Sequence, residues 1–180
     1  QGDLNFELGQ TQQALGQNKF AKRHFSKVLD QDRENLDALR AMGKLMQGER
    51  NIPAAKRYYE QALAVNSRDP LTLYQLGRLA LDEKKPRDAV RRLRVAAESR
   101  RQDPKLQYWY GRALEAEGNK RSANYVREAY EGASALLRDA KETPTELCDV
   151  HYRVGLVHSK RPEELNSALE DFSRASRCAP

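Results

Sequence analysis

The stretch LYQLGRLALDEKKPRDAVRRLRVAAE, from Leu73 to Glu98, contains the pattern that decides the fold. Its apolar residues recur three and four positions apart on both sides of a short polar segment, which predicts two amphipathic helices joined by a turn. Gly77 in the first helix and Ala89 in the second are small, so the helices can approach closely there. Leu93, one turn beyond Ala89, fills the gap that remains. The stretch therefore predicts a closely packed helix pair.

The same pattern recurs along the chain. Four glycines follow one another at intervals of 34 residues, and a fifth comes 44 residues later: Gly9, Gly43, Gly77, Gly111 and Gly155. Each of the first four is followed after twelve residues by an alanine, and the fifth reaches its alanine one residue late: Ala21, Ala55, Ala89, Ala123 and Ala168. Four positions beyond the alanine lies a large residue in every repeat except the fourth, which has Arg127: Phe25, Tyr59, Leu93 and Phe172. A single helix pair cannot bury both of its faces, so neighbouring pairs are expected to stack.

These units resemble the tetratricopeptide repeat family. The family's order of a large residue, Leu-Gly, Ala, an aromatic residue and Ala is similar to that of the opening stretch and of LRAMGKLMQGERNIPAAKRYYEQALAV, from Leu39 to Val65. The resemblance implies an all-α fold, a right-handed α-solenoid of stacked antiparallel helix pairs, in one array over residues 1–180. The five repeats span about residues 2–35, 36–69, 70–103, 104–147 and 148–180. Because both ends fall near repeat boundaries, we expect a fragment of a longer protein.

The fourth repeat is ten residues longer than the period allows. Its segment NYVREAYEGASALLRDAKETP keeps apolar residues at helical spacing and has only Gly132 as a breaker before Pro144. We predict a lengthened second helix that extends about 15 Å beyond its neighbours. A longer loop is the alternative. Asp69 and Asp103, each followed by proline, are predicted N-caps, and TPTE (143–146) has the spacing of a capping box.

Charge is spread along the chain. The net charge is +6, but acidic and basic residues alternate, as is typical of solvated helix faces. The most basic segment, Arg87 to Arg101, has an apolar stripe that leaves its arginines on the outer face. No aromatic residues alternate with these arginines, which argues against nucleic acid as the partner.

Histidine, cysteine and motif content argue against an enzyme, a metal site or a cofactor. His151 and His158 share a helix face but lie about 10 Å apart along its axis, too far for one metal ion, so we predict packed, neutral histidines. The chain has no phosphate loop and no nucleophile elbow. Cys148 and Cys178 are too few for a disulfide framework and indicate a reducing compartment only weakly.

No apolar run approaches the roughly 20 residues of a membrane span, and no cleavable signal pattern opens the chain. We predict a cytoplasmic protein. A periplasmic or membrane-associated place in a larger complex is the alternative.

The resemblance also implies a concave groove lined by the first helix of each repeat. The groove positions are the residues three before and one after each glycine, and they point away from the partner helix. The candidate groove residues are mostly aromatic or basic: Phe6, Arg40, Lys44, Tyr74, Arg78, Tyr108, Arg112 and Tyr152, with Trp109 beside Tyr108. Tyr, Trp and Arg are over-represented in binding hot spots. Alternatively, the tyrosines brace adjacent helices, and the arginines pair with nearby acids such as Asp37 and Glu115.

We therefore expect a protein–protein interaction scaffold that holds an acidic, partly aromatic peptide or partner helix. One alternative is binding of nucleic acid or an anionic surface through the basic groove and the Arg87–Arg101 helix. Another is a self-assembling scaffold, a homo-oligomer formed through the long fourth-repeat helix. The first repeat has Phe6 and Gln10 where a C-terminal carboxylate clamp would have Lys and Asn, which argues against that binding mode.

Overall fold

The computed structural model describes residues 2–138 and 145–178 of the chain. Over these residues the chain forms ten α-helices, three single turns of 3-10 helix and no β-strand, which confirms the all-α prediction. The helices are α1 (Gly2–Ala14), α2 (Asn18–Gln31), α3 (Leu36–Gly48), α4 (Ile52–Val65), α5 (Pro70–Asp82), α6 (Pro86–Ser99), α7 (Pro104–Glu117), α8 (Ala123–Leu137), α9 (Asp149–His158) and α10 (Leu165–Cys178). The 3-10 turns are Lys120–Ser122, Thr145–Leu147 and Pro162–Glu164.

The chain divides into two compact units, Gln1–Leu76 and Gly77–Pro180, and the division falls within α5. In the first unit α1 packs on α2, and α3 packs on both α2 and α4. Gly2 lies beside Gln31 and Gly9 beside Phe25, so α1 and α2 run antiparallel. In the second unit the consecutive helices from α6 to α10 pack on one another in the same way.

The repeated glycines are contact points between paired helices. A Cβ atom added to Gly111 would lie 2.7 Å from Cε1 of Tyr130, closer than real Cβ atoms come to a neighbour. The same overlap would arise in the other four pairs, where the glycine faces a large side chain of the second helix: Gly9 and Phe25, Gly43 and Tyr59, Gly77 and Leu93, Gly155 and Phe172. The predicted close approach is therefore present in all five pairs.

Helix starts follow the predicted caps. Asp69 accepts hydrogen bonds from the N–H (2.8 Å) and the hydroxyl (2.6 Å) of Thr72 at the start of α5. Asp103 accepts from the N–H groups of Lys105 and Leu106 at the start of α7. Both confirm the prediction that each Asp-Pro step begins a helix. The predicted capping box at TPTE includes Pro144, which lies outside the described residues.

The fourth repeat differs in register. Its packing residue, Tyr130, comes 19 positions after Gly111. In the first three pairs the large packing residue comes 16 positions after the glycine. The difference arises because the 3-10 turn Lys120–Ser122 precedes α8. Ala123 is consequently exposed, and half-buried Val126 lies four positions before the ring. The prediction that Ala123 is the packing alanine of this repeat is therefore wrong. Arg127 no longer stands at the packing position and binds Glu131 and Glu164 instead.

The helix α8 has 15 residues, compared with 14 in each of α2, α4, α6 and α10. The described part of the fourth repeat thus contains no lengthened second helix, since α8 ends at Leu137. Three of the extra residues are the turn before α8. The others fall between Tyr130 and Gly155, and residues 139–144 of that segment lie outside the described part.

A disulfide joins Cys148, just before α9, to Cys178 at the end of α10, with 5.4 Å between the two Cα atoms. The sequence contains only these two cysteines, and both are bonded. They therefore give no support to the interpretation that the protein occupies a reducing compartment. Within the described helices, none combines the length and the apolarity that a membrane span requires.

Candidate functional site

The second unit contains a polar network between α7 and α9. Tyr108 of α7 is 3% exposed, and its hydroxyl donates a 2.7 Å hydrogen bond to Oδ2 of Asp149. Arg112, one turn further along α7, donates from Nη1 to the Tyr108 hydroxyl oxygen at 2.8 Å. The same nitrogen lies 3.7 Å from Asp149. Burial and the bond to Asp149 raise the pKa of Tyr108, so the phenol stays protonated as a donor.

Arg153 of α9 extends this network to a second carboxylate. Its guanidinium pairs with Asp149 one turn earlier and with Glu115 of α7. Tyr130 of α8 donates to Glu115 at 3.0 Å, and burial raises the pKa of this phenol. We call Tyr108, Arg112, Glu115, Asp149 and Arg153 the α7–α9 network. It holds two arginines and two carboxylates in fixed positions while all four charged groups keep some exposure to solvent.

Trp109 lies beside this network with arginines near its ring. The guanidinium carbon of Arg78 is 4.5 Å from the ring centroid, and that of Arg112 is 5.6 Å away, both within cation–π range. The Trp109 ring is half-buried, meets Tyr108 edge-on at 5.5 Å, and packs against the apolar core between α8 and α9. The Trp109 ring thus contacts both the apolar core and two guanidinium groups.

Apolar surface is exposed on α9 at the two candidate positions of the fifth repeat. Tyr152 is 48% exposed and its ring centroid lies 5.8 Å from that of Phe172. Leu156, one turn further, is 36% exposed. Tyr152 and Leu156 therefore present apolar surface on the same helix as Asp149 and Arg153 of the α7–α9 network. We call the accessible side chains of Arg78, Trp109 and Tyr152 together with this network the candidate binding face.

The candidate residues of the first unit are more dispersed. Phe6 is half-buried with its ring 5.7 Å from Phe25. Arg40 pairs with Asp37 and, at 3.2 Å, with the N-cap carboxylate of Asp69. Lys44 is exposed on α3.

The candidate residues divide into those that contact their own chain and those that keep accessible surface. Tyr74 and Tyr108 are 4% and 3% exposed, so they brace the helices and offer a partner almost no surface. Arg40, Arg112 and Arg153 pair with acids of their own chain. Arg78, Trp109 and Tyr152 keep accessible surface.

Sequence reasoning missed Asp149. It contacts Tyr108 across a separation of 41 residues, and nothing in the local pattern distinguishes it from other acids at the start of a helix. The contact between Glu115 and Arg153 was predictable. When the repeats are aligned on their glycines, both residues fall on the inner, groove-lining side of their helices. Their ion pair is observed.

The histidines of α9 behave differently from one another. His151 is 6% exposed, lies 3.2 Å from the Ser134 hydroxyl, and has a pKa lowered mainly by burial, in agreement with a packed, neutral ring. For His158 the pKa shift has the opposite direction and favours the protonated ring. Burial alone would lower its pKa, but contacts with Glu131 and Asp171 outweigh that effect and raise it.

Three of the four arginines of α6 lie on its outer side, as predicted, and Arg92 is half-buried. Arg87, Arg91 and Arg94 are exposed, and Arg91 pairs with Asp88 at 3.1 Å. In the part of the chain that the structure describes, no group of three or more His, Cys, Asp or Glu side chains is placed to hold a metal ion.

Known structures share this architecture across nearly the whole chain. PilF of Pseudomonas aeruginosa superposes with a TM-score of 0.82 at 20% identity, covering 99% of this chain and 77% of PilF. MamA (41-end) of Desulfovibrio magneticus RS-1 gives 0.74 at 18% identity, with 98% and 94% covered. YrrB, a TPR protein with an unusual peptide-binding site, gives 0.71 at 18% identity, with 97% and 84% covered. No protein-family model matches the chain, and no protein with a curated description matches it significantly in sequence.

Proposed function

We propose that this chain, whose fold is that of the tetratricopeptide repeat proteins, is a protein-interaction scaffold that binds an acidic, partly aromatic peptide through its second unit. The observation that carries the proposal is the Trp109 ring with Arg78 and Arg112 beside it. Exposed Tyr152 lies on α9, the helix that carries Asp149 and Arg153 of the α7–α9 network. The proposal assigns no reaction to the chain. YrrB, with a similar fold, has a peptide-binding site, which makes a peptide a reasonable class of partner.

The geometry favours binding because the arginines are already ordered. Arg112 is fixed by the Tyr108 hydroxyl, and Arg78 is placed over the indole ring. A guanidinium held in place loses less side-chain entropy on binding than one that is free in solvent. A carboxylate of the partner would gain charge-assisted hydrogen bonds from these groups.

The exposed apolar surface of α9 is the reason for proposing aromatic residues in the partner. Tyr152 and Leu156 present exposed area one turn apart on α9. Aromatic side chains of a peptide would bury this area and supply affinity, whereas the acids would set the register. Asp149 and Glu115 would repel a peptide whose acids are placed at the wrong spacing, which adds specificity.

The experiment uses the single tryptophan of the chain as its reporter. Synthetic peptides that alternate Asp or Glu with Phe are titrated while Trp109 fluorescence is measured. We expect saturable binding and a loss of about tenfold or more in affinity for Arg78→Glu, on the scale of a hot-spot arginine. Peptides with Lys in place of the acids should not bind.

The matched control is Arg91→Glu, the same charge change at an exposed arginine of α6 that pairs with Asp88 three positions earlier. It should bind like the wild type. Equal losses for Arg78→Glu and Arg91→Glu would show a diffuse charge effect and contradict the assigned face. Binding of generic RNA with a steep salt dependence would instead favour a nucleic-acid function.

A further inference from the structure

The second histidine of α9 lies between carboxylates from two other helices. Its Nδ1 is 2.8 Å from Oδ2 of Asp171 on α10, and its Nε2 is 3.0 Å from Oε1 of Glu131 on α8. The His158 side chain is 15% exposed and that of Asp171 is 7% exposed. One imidazole ring therefore connects α9 to both of its neighbours.

The chemistry of the ring limits when both connections can exist. A neutral imidazole has a single N–H, and an ionised carboxylate can only accept a hydrogen bond. Both contacts are hydrogen bonds only when the ring carries two protons. Once one proton is lost, a nitrogen lone pair faces a carboxylate oxygen, and that contact becomes repulsive.

We propose that His158 is a pH-sensitive tie, which holds α9 to both α8 and α10 when protonated and releases α8 when it loses a proton. The contact with Asp171 is the one that survives. Asp171 is the more buried carboxylate, and leaving a buried charge without a donor costs more than leaving an exposed one. Glu131 keeps another donor, since Nε of Arg127 lies 2.6 Å from it.

Charged groups face the ring from every element packed around it. On α8 these are Glu131 and Arg127. On α10 they are Asp171 and Arg174, which lie 3.9 Å apart. From the 3-10 turn before α10, Glu164 binds Arg127 at 2.9 Å and Arg161 at 3.2 Å. Arg127 and Arg174, which pair with these carboxylates, would oppose a charge on the ring, whereas the two carboxylates in contact with it favour one.

The direction of the pH effect follows from the pKa. Burial lowers the pKa of His158, but its hydrogen bonds to Glu131 and Asp171 outweigh burial, so the pKa lies above the ordinary 6.5. The tie therefore stabilises the folded helices fully below pH 6.5, and its contribution is lost as the pH rises from 6.5 through the folded value. The effect of His151 on stability has the opposite sign. Its pKa is lowered, so its protonation in acid opposes folding.

The tie also bears on the proposed binding face. Asp149, Tyr152 and Arg153 all belong to α9, the helix that His158 attaches to α8. This consequence rests on the proposed function. The tie itself does not rest on the proposed function, and its test needs no ligand. If peptide binding fails, the proposal about His158 is unaffected, and the reverse also holds.

The first measurement is an NMR titration of the two α9 histidine rings in the wild-type chain. We expect His158 to titrate above the ordinary 6.5 and His151 to titrate below it. Substitution Glu131→Gln should lower the His158 midpoint, whereas Glu128→Gln, an exposed acid on the same helix, should not. A His158 midpoint at or below the ordinary 6.5 would overturn the proposal.

The second measurement is hydrogen exchange of the α9 amides, corrected for the intrinsic pH dependence of exchange. As the pH rises through the His158 titration, protection should fall by up to about tenfold for each unit by which the folded pKa exceeds the unfolded one. Glu131→Gln should remove this step. A step of equal size in Glu131→Gln would show that His158 does not act through α8 and would also overturn the proposal.

Discussion

At the scale of single residues, the fold depends on glycines that touch rings. Gly111 lies against Tyr130, whose ring is 1% exposed and whose hydroxyl is bonded to Glu115. The ring cannot move away without breaking that bond or losing its packing. A methyl group at this position therefore has no space.

We expect Gly111→Ala to lower the free energy of unfolding of the second unit by about 1–3 kcal/mol, the usual cost of overpacking a core. Chemical denaturation followed by circular dichroism measures this change. The control is Gly132→Ala in α8, where an added Cβ meets no atom within 4 Å. That variant should gain about 0.5–1 kcal/mol from helix propensity. Destabilisation of similar size in both would contradict the packing argument.

At the scale of elements, α10 buries few of its residues against the rest of the second unit. Of its residues only Ala168 and Asp171 are buried. Phe172 reaches Gly155 of α9, His158 binds Asp171, and the disulfide fixes the end of the helix to the start of α9. Because α10 buries so little apolar surface, we expect the disulfide to contribute much of the free energy that holds α10 against α9.

Reduction of the disulfide is expected to destabilise the second unit. The link closes a loop of 30 residues, for which chain entropy gives about 3–4 kcal/mol. Denaturation with and without a thiol reductant measures this difference, and the double variant Cys148→Ser/Cys178→Ser should match the reduced wild type. Unchanged stability after reduction would mean that α10 is held by its non-covalent contacts alone.

The elements also show which parts of the fold the sequence determines. The helix pairs and their glycine contacts were predictable, because connections of equal length repeat the same register in the first three pairs. The position of the extra residues in the fourth repeat was not, since the pattern shows that residues are added but not on which side of α8. Contacts such as Tyr108 with Asp149 and His158 with Glu131 join distant segments, and no local spacing indicates them.

At the scale of the whole molecule, each unit has its own set of glycine contacts. Gly43 meets the Tyr59 ring within the first unit, and Gly111 meets the Tyr130 ring within the second. In repeat proteins stability is approximately a sum of terms for each repeat and its nearest neighbours. A local defect should therefore remain local.

We expect Gly43→Ala to lower hydrogen-exchange protection mainly in α3 and α4, and Gly111→Ala mainly in α7 and α8. Exchange measured by mass spectrometry at peptide resolution distinguishes these patterns. An equal loss of protection throughout the chain in either variant would show that the protein unfolds as one cooperative body.

The disulfide makes a closed covalent ring of residues 148–178, with α9 and α10 as its two sides. The connection between these helices carries Lys160 at an exposed position, where proteases cut most readily. Cleavage of the backbone after Lys160 opens the ring without dividing the molecule. The two pieces would migrate as one band on a gel run without reductant and as two bands after reduction, so a brief trypsin digest reports whether the bond is present in any preparation.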